Sequence, residues 1–359
     1  MSLESTLNLL KIMRRLKLSE IKNSDRFKSL SFLPLKVTRF VQINLHDSNT
    51  LMNLYPDQFS YGHREILLDE CGLDYATQLI GNLQHGIWDI NTYDFRSPRF
   101  IRGRRTSTWV FSKDLEKIGR GMGFDRVHAI GAPWLYLKRR LEGTEVSHTL
   151  ESEKVLVMPG HSQANFYDRS SREMIQKRVS LFRGVVGDRE ATVCLHPIDF
   201  LNSFTRNEFI EQGFEVTCLG LSNLSPVWSP ASDRIKFLEN LFYLMSEHSH
   251  YITDDVGTSL FYALNMRLKV AVFPEIRREL DTTSINSGEV NSGEYLSWSE
   301  QYLKENFPEV INQFGSNENS NKFADISLGA DCVRDKDELL EILDYRKDIY
   351  TDFKNYTKQ

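Results

Sequence analysis

Apolar and polar positions alternate with two different rhythms along the chain, and the rhythm changes near residue 140. Beyond it, short runs that are apolar throughout recur between helical stretches. Lys154–Met158 (KVLVM), Ala191–Leu195 (ATVCL), Phe214–Leu219, Tyr251–Asp254 and Val270–Phe273 read as strands. Ser171–Phe182, Arg206–Gly213, Ser232–Glu247 and Thr258–Met266 carry helical spacing. In Ser232–Glu247 the core face is Ile235, Leu238, Leu241, Phe242 and Met245, with Ser232 as the expected cap. Strands that are apolar on both faces belong to a sheet covered on both sides, which predicts a doubly wound parallel sheet. Further on, Glu300–Phe314 reads as a helix and Gly315–Asn321 as a polar loop. Asp337–Lys354 reads as a last amphipathic helix that packs back across the first half.

The first half is less regular. Residues 5–18 (STLNLLKIMRRLKL) have helical spacing with a basic flank, suited to packing on the folded body or to lying on a membrane surface. Residues 19–60 show no clear period. A helix is expected from Arg64 to Leu73, followed by Ala76–Ile80, then a short strand in Gly81–Asp89 that ends at Gln84-His85-Gly86. After the basic loop Phe95–Arg105, Thr106–Ser112 is a strand, Lys113–Gly123 a helix with a glycine stop, and Val127–Gly131 a strand closed by Ala132-Pro133. Residues 139–153 are charged, lack an apolar period and read as a linker. The expected fold class is α/β with two Rossmann-like domains. The division is a reduced N-terminal domain with a helical extension (1–145), a C-terminal doubly wound domain (154–335) and a C-terminal helix (336–359).

Composition changes this picture little. The 359 residues, 40% hydrophobic with net charge −5, describe an ordinary globular protein and give no reason to expect nucleic acid as a partner. Charge is uneven, however: residues 95–140 hold twelve Lys/Arg against three Asp/Glu, and residues 1–40 hold nine against three. A local basic excess suits phosphates, anionic glycans or an anionic membrane face, and equally a solvated surface. The four cysteines show no clustered metal spacing, and no run approaches the ~18 apolar residues of a membrane span. A cytoplasmic protein, in solution or peripheral at the inner face of the membrane, is the expectation.

In a parallel sheet, ligands collect at the carboxyl ends of strands. That rule selects Gly160-His161-Ser162, His196-Pro197, Gly220–Ser222 and Asp254–Ser259, with His85 at a strand end of the first half. The turn at Val256-Gly257 brings Thr258 and Ser259 to a helix N-terminus, where unpaired N–H groups favour an anion. Asp254 reads as a cap for that helix. No histidine has a partner at metal-ligand spacing, so no metal is expected. GxxxxGK[ST], GxGxxG and GxSxG are all missing, which removes P-loop NTPases, dinucleotide enzymes and α/β-hydrolases. What is left suits an enzyme that holds a nucleotide in the second domain and an acceptor in the first.

The runs VLVMPGHS, VCLHPIDF and YITDDVGTSLFYALNMRLKVAVFP resemble the C-terminal domain of GT-B-fold glycosyltransferases of bacterial capsule and lipopolysaccharide assembly. Sialyl-, polysialyl- and Kdo-transferases are the nearest in kind, over residues 80–275. The resemblance implies a nucleotide sugar, CMP-linked in the sialyl branch, as donor substrate with no other cofactor, and a surface glycan as acceptor. It further implies phosphate contacts from His196-Pro197 and from Thr258-Ser259, to which the strand-end positions add Gly257, His161 and Ser162 as nucleotide-binding candidates. Gln84-His85-Gly86 is similar to the HG segment of teichoic-acid-type polymerases, which implies His85 as catalytic base. The acidic motif of the polysialyl enzymes has no counterpart, and Asp89 and Asp94 are the substitutes. A nucleotide-sugar epimerase or hydrolase of the same architecture, and a non-catalytic carbohydrate-assembly protein, are the other readings.

Overall fold

The computed structural model describes residues 60–75, 77–87, 107–142, 153–160, 172–220, 231–276 and 301–346. The expected helix at 5–18, the irregular stretch to residue 59, the basic loop Phe95–Arg105 and the polar loop at 278–294 lie outside these residues.

The chain is a mixed α/β protein with two parallel sheets. The first has three strands in the order β2-β3-β4: β2 (Gly81–Leu83), β3 (Ser107–Val110) and β4 (Val127–Ala129). β1 (Gln78–Leu79) stands outside it. Helix α1 (His63–Cys71) precedes these strands, α2 (Lys113–Gly121) joins β3 to β4, and α3 (Pro133–Glu142) follows β4. The Ser112 hydroxyl caps α2 by accepting from the Leu115 N–H, and Gly123 at φ +82 closes its far end, as a glycine stop should.

The second sheet has five strands: β5 (Val155–Val157), β6 (Ala191–Cys194), β7 (Glu215–Thr217), β8 (His250–Thr253) and β9 (Lys269–Val272), in the order β7-β6-β5-β8-β9. Every neighbouring pair is parallel. The order reverses between β5 and β8. Connecting helices are α4 (Arg172–Val186), α5 (Pro197–Leu201), α6 (Ser203–Glu211), α7 (Ala231–Ser246) and α8 (Thr258–Asn265). Alternate strand residues enter different cores, as a two-sided sheet requires. Leu156, Cys194, Tyr251 and Val270 join one cluster with α7 and α8. Val155, Val157, Val193, Ile252 and Ala271 join another with α4 and α6. β7 is the exception, half-exposed as a sheet edge should be.

The first cluster does not stop at the second sheet. It continues through Leu83, Trp109, Ile130 and α3 of the first half. Asn265 at the end of α8 marks the crossing: its Oδ1 accepts from Trp134 Nε1 (3.1 Å) and Lys138 Nζ (3.1 Å), and its Nδ2 donates to Asp325 (2.7 Å). The Trp134 ring stacks on Tyr262 with centroids 4.4 Å apart.

Several expected elements are corrected. Residues 139–142, expected as linker, are the end of α3, whose buried side carries Trp134, Leu137 and Leu141 and whose arginines pair outward with Asp69, Glu70 and Glu239. In the stretch after α1, for which no element type was expected, Gln78 and Leu79 form β1. Ser232 lies inside α7, which begins at Ala231, and so is not its cap. Among the described residues of Glu300–Phe314 only 301–306 are α-helical; Pro308 starts a 3₁₀ turn, and Ile311 then bridges to Val272 of β9. Gly315–Asn321 is not all loop, because α9 (Glu318–Ser327) begins there behind a reciprocal Asn317–Ser320 cap. The last helix is shorter than expected. α10 (Lys336–Ile342) packs on α1 and ends at Leu343, and β10 (Tyr345–Arg346) then pairs antiparallel with β1.

Candidate functional site

β2 leaves its sheet at Gln84, and the side chain of Gln84 shapes the exit. Its Nε2 donates to the Gly86 carbonyl (3.0 Å) and its Oε1 accepts from the Phe111 N–H (2.7 Å) beyond β3. The amide therefore ties two strand ends together and fixes the loop that carries His85. His85 is half-buried, with the Tyr61 ring stacked against it at 5.0 Å and 29°. His63 lies close by. Burial pushes its pKa down to about 3, and the neighbouring His85 adds to the shift. Neither His63 ring nitrogen meets a hydrogen-bond partner among the described residues, although the Gln84 backbone lies close enough to oppose the shift.

Two residues after His85, the Ile87 N–H donates to the Thr258 Oγ1 at 3.0 Å. This bond joins the exit of the first sheet to the first residue of α8 in the second. α8 starts behind Gly257, which is extended and offers no side chain to the first-turn N–H groups. Among the described residues, a Cβ on Gly257 would approach only Ser259 Oγ, at 3.9 Å. The two hydroxyls face different ways. Thr258 accepts from the first sheet and keeps its own proton to donate, while Ser259 is turned back onto the buried Tyr251 OH at 2.8 Å.

Asp254 is not the cap of α8. Its carboxylate accepts from the Gly160 N–H (2.7 Å) and from Arg178 Nε (2.9 Å) and Nη2 (2.6 Å). Arg178 also donates to the Gly160 carbonyl (2.9 Å). β5 and β8 flank the order reversal, so this buried pair ties the two loops at the topological switch point of the sheet. Binding-site crevices of such sheets open there.

His196 follows β6 on the same edge, half-exposed, and its carbonyl accepts from the Asp199 and Phe200 N–H groups at 2.9 Å each. Pro197 is the first residue of α5, where a missing N–H costs nothing. β6 and β8 are separated by one strand and so run ~10 Å apart, with the His196 and Gly257 loops following their carboxyl ends. Asp199 is buried, and burial, against the opposing pull of Arg178, raises its carboxyl to about 8.

The structure thus brings the loop that carries His85 against Thr258 through Ile87, and sets Gly257 and His196 along one sheet edge. Ser259 faces inward. His161, Ser162, Asp89 and Asp94 lie outside the described residues. No family model matches the chain, and no curated protein or solved structure matches it either. Among the described residues no group of three His, Cys, Asp or Glu gathers at metal-binding distance, and no helix is long and apolar enough to cross a membrane.

Sequence reasoning missed Tyr61, His63, Arg178 and Asp199. Arg178 had a signal: it lies on the apolar stripe of α4 with Ile175, Val179 and Phe182, where an arginine needs a buried partner. Tyr61 and His63 had none, because their neighbours come from distant segments.

Proposed function

We propose that the protein is a glycosyltransferase of GT-B-like, two-domain arrangement that moves a sugar from a nucleotide donor to a glycan acceptor. The observation that carries the reading is the bond from the Ile87 N–H to Thr258 Oγ1, because it sets a histidine-bearing strand exit of one parallel sheet against a helix N-terminus that follows a strand of another. The donor phosphate meets the first-turn N–H groups of α8 and the remaining Thr258 proton, with His196 on the sister loop. His85 takes the proton of the acceptor hydroxyl as its oxygen forms the new bond to the anomeric carbon. The bond from that carbon to the phosphate oxygen breaks, its electron pair stays on the phosphate, and the helix N-terminus stabilises the added charge.

His85→Ala should lower the release of nucleotide from a panel of CMP-, UDP- and GDP-sugars by about 100-fold or more and leave nucleotide affinity within a few-fold. Release that persists at the native rate would remove His85 as base. The same loss appearing in nucleotide affinity alone would make it a binding residue.

A further inference from the structure

Tyr61 has φ +58, in the left-handed region that a bulky residue avoids, and Gly62 follows at φ +77. A glycine or asparagine at position 61 would take that backbone at less cost, so the tyrosine ring must offset the strain through what it touches. It touches three rings: it is stacked on His85 (centroids 5.0 Å, 29°) and lies tilted against Phe237 of α7 (4.9 Å, 41°) and His63 (5.8 Å, 54°).

The turn is held from behind. Gly62 lies so close to α7 that a Cβ there would meet the Arg234 carbonyl oxygen at 2.6 Å. In the next turn, Glu65 Oε1 accepts from Arg64 Nη1 (2.7 Å) and from Arg234 Nε (3.0 Å) and Nη2 (2.6 Å), all buried. Arg64 is itself anchored on the Tyr75 and Thr77 carbonyls. The first turn of α1 is thereby fixed to α7, and the ring of Tyr61 is fixed between them and His85.

We propose that Tyr61 is a positioning residue that holds the His85 imidazole in a single orientation at the exit of β2, with the strained Tyr61-Gly62 turn and Phe237 as its support. The catalytic consequence rests on the reading of His85 as base; the orientation itself does not. His63 is kept neutral by burial beside it, so no second positive charge opposes a proton arriving on His85.

The test uses the full chain labelled with ¹³C at histidine Cε1, with the His85 signal assigned by loss in His85→Gln. Tyr61→Leu should shift the His85 signal and its titration midpoint and lower nucleotide-sugar turnover on the order of tenfold or more. Nucleotide affinity should hold, and Tyr61→Phe should restore both signal and rate. A folded Tyr61→Leu protein with an unmoved His85 signal overturns the proposal, and so does Tyr61→Phe behaving like Tyr61→Leu. Should Tyr61→Leu not fold, Phe237→Leu loosens the same ring at its contact with α7 and must move the His85 signal in the same direction; an unmoved signal again overturns the proposal. The signal needs no substrate. If it moves as described in a protein that turns over no nucleotide sugar, the positioning is supported and the transferase reading fails.

Discussion

Asp199 and His63 are both buried where their ordinary charge is disfavoured, and their linkage to pH runs in opposite directions. The Asp199 carboxyl is raised to about 8 from a usual 3.8, so between those values the folded protein keeps a proton that the unfolded chain has released. Stability therefore falls as pH rises from ~4 to ~8. His63 is lowered to about 3 from 6.5, so between those values the unfolded chain takes a proton that the folded protein refuses. Its contribution makes stability rise with pH from ~3 to ~6.5. From pH ~4 to ~6.5 the two oppose each other, and only variants separate them. Asp199→Asn should match the native protein near pH 4 and exceed it by about 2–4 kcal/mol near pH 8, since a tenfold difference in proton affinity between the folded and unfolded chain is worth about 1.4 kcal/mol. Urea midpoints across pH measure this, and a difference that stays constant with pH would contradict it. His85 is legible in the sequence because strand periodicity locates the end of β2. Tyr61 is not, because its role depends on a backbone angle and on rings from two other segments.

Among the elements, the loops at the β5–β8 reversal are where ordinary capping logic fails. Asp254 ends a strand before a helix, the usual position for a cap, yet its partner is Arg178 on α4. Arg178→Met leaves the Asp254 carboxylate buried without its cation and should cost about 3–5 kcal/mol. Adding Asp254→Asn should recover much of the loss, because the uncompensated charge goes with it. A denaturation double-mutant cycle reads the coupling, and strictly additive losses would show that the pair does not hold these loops. The same contrast between local and distant partners separates the legible elements from the hidden ones. β5, β6, β8 and β9 are legible because an apolar run is a local signal. The end of α3 resembles a linker because its outward residues, Arg139, Arg140 and Glu142, outweigh its buried ones in the sequence, and Pro133 looks like an end when it is a first helical residue. β10 follows an amphipathic pattern that runs on past Leu343, and nothing local announces its pairing with Gln78 and Leu79.

Across the described residues, the two parallel sheets share one apolar core, and the buried Asn265 hydrogen-bonds across it to Trp134. Its loss would leave the buried Trp134 indole N–H without its acceptor, while Lys138 keeps the backbone carbonyl of residue 265 and Glu142. Asn265→Ala should cost about 2–3 kcal/mol and shift one cooperative transition in which tryptophan fluorescence and far-UV circular dichroism coincide. Separate transitions would mean that the halves unfold independently. The shared core also fixes the approach of His85 to α8, so a ligand phosphate at Gly257–Thr258 should stabilise the entire chain. The most direct test is therefore a thermal-shift series with CMP, CDP, UDP, GDP and ADP on the native protein and on His196→Ala. A nucleotide at about 100 times its Kd should add about 2.7 kcal/mol and raise the midpoint of the native protein, with a smaller rise in His196→Ala. No rise with any of the five nucleotides would contradict the account.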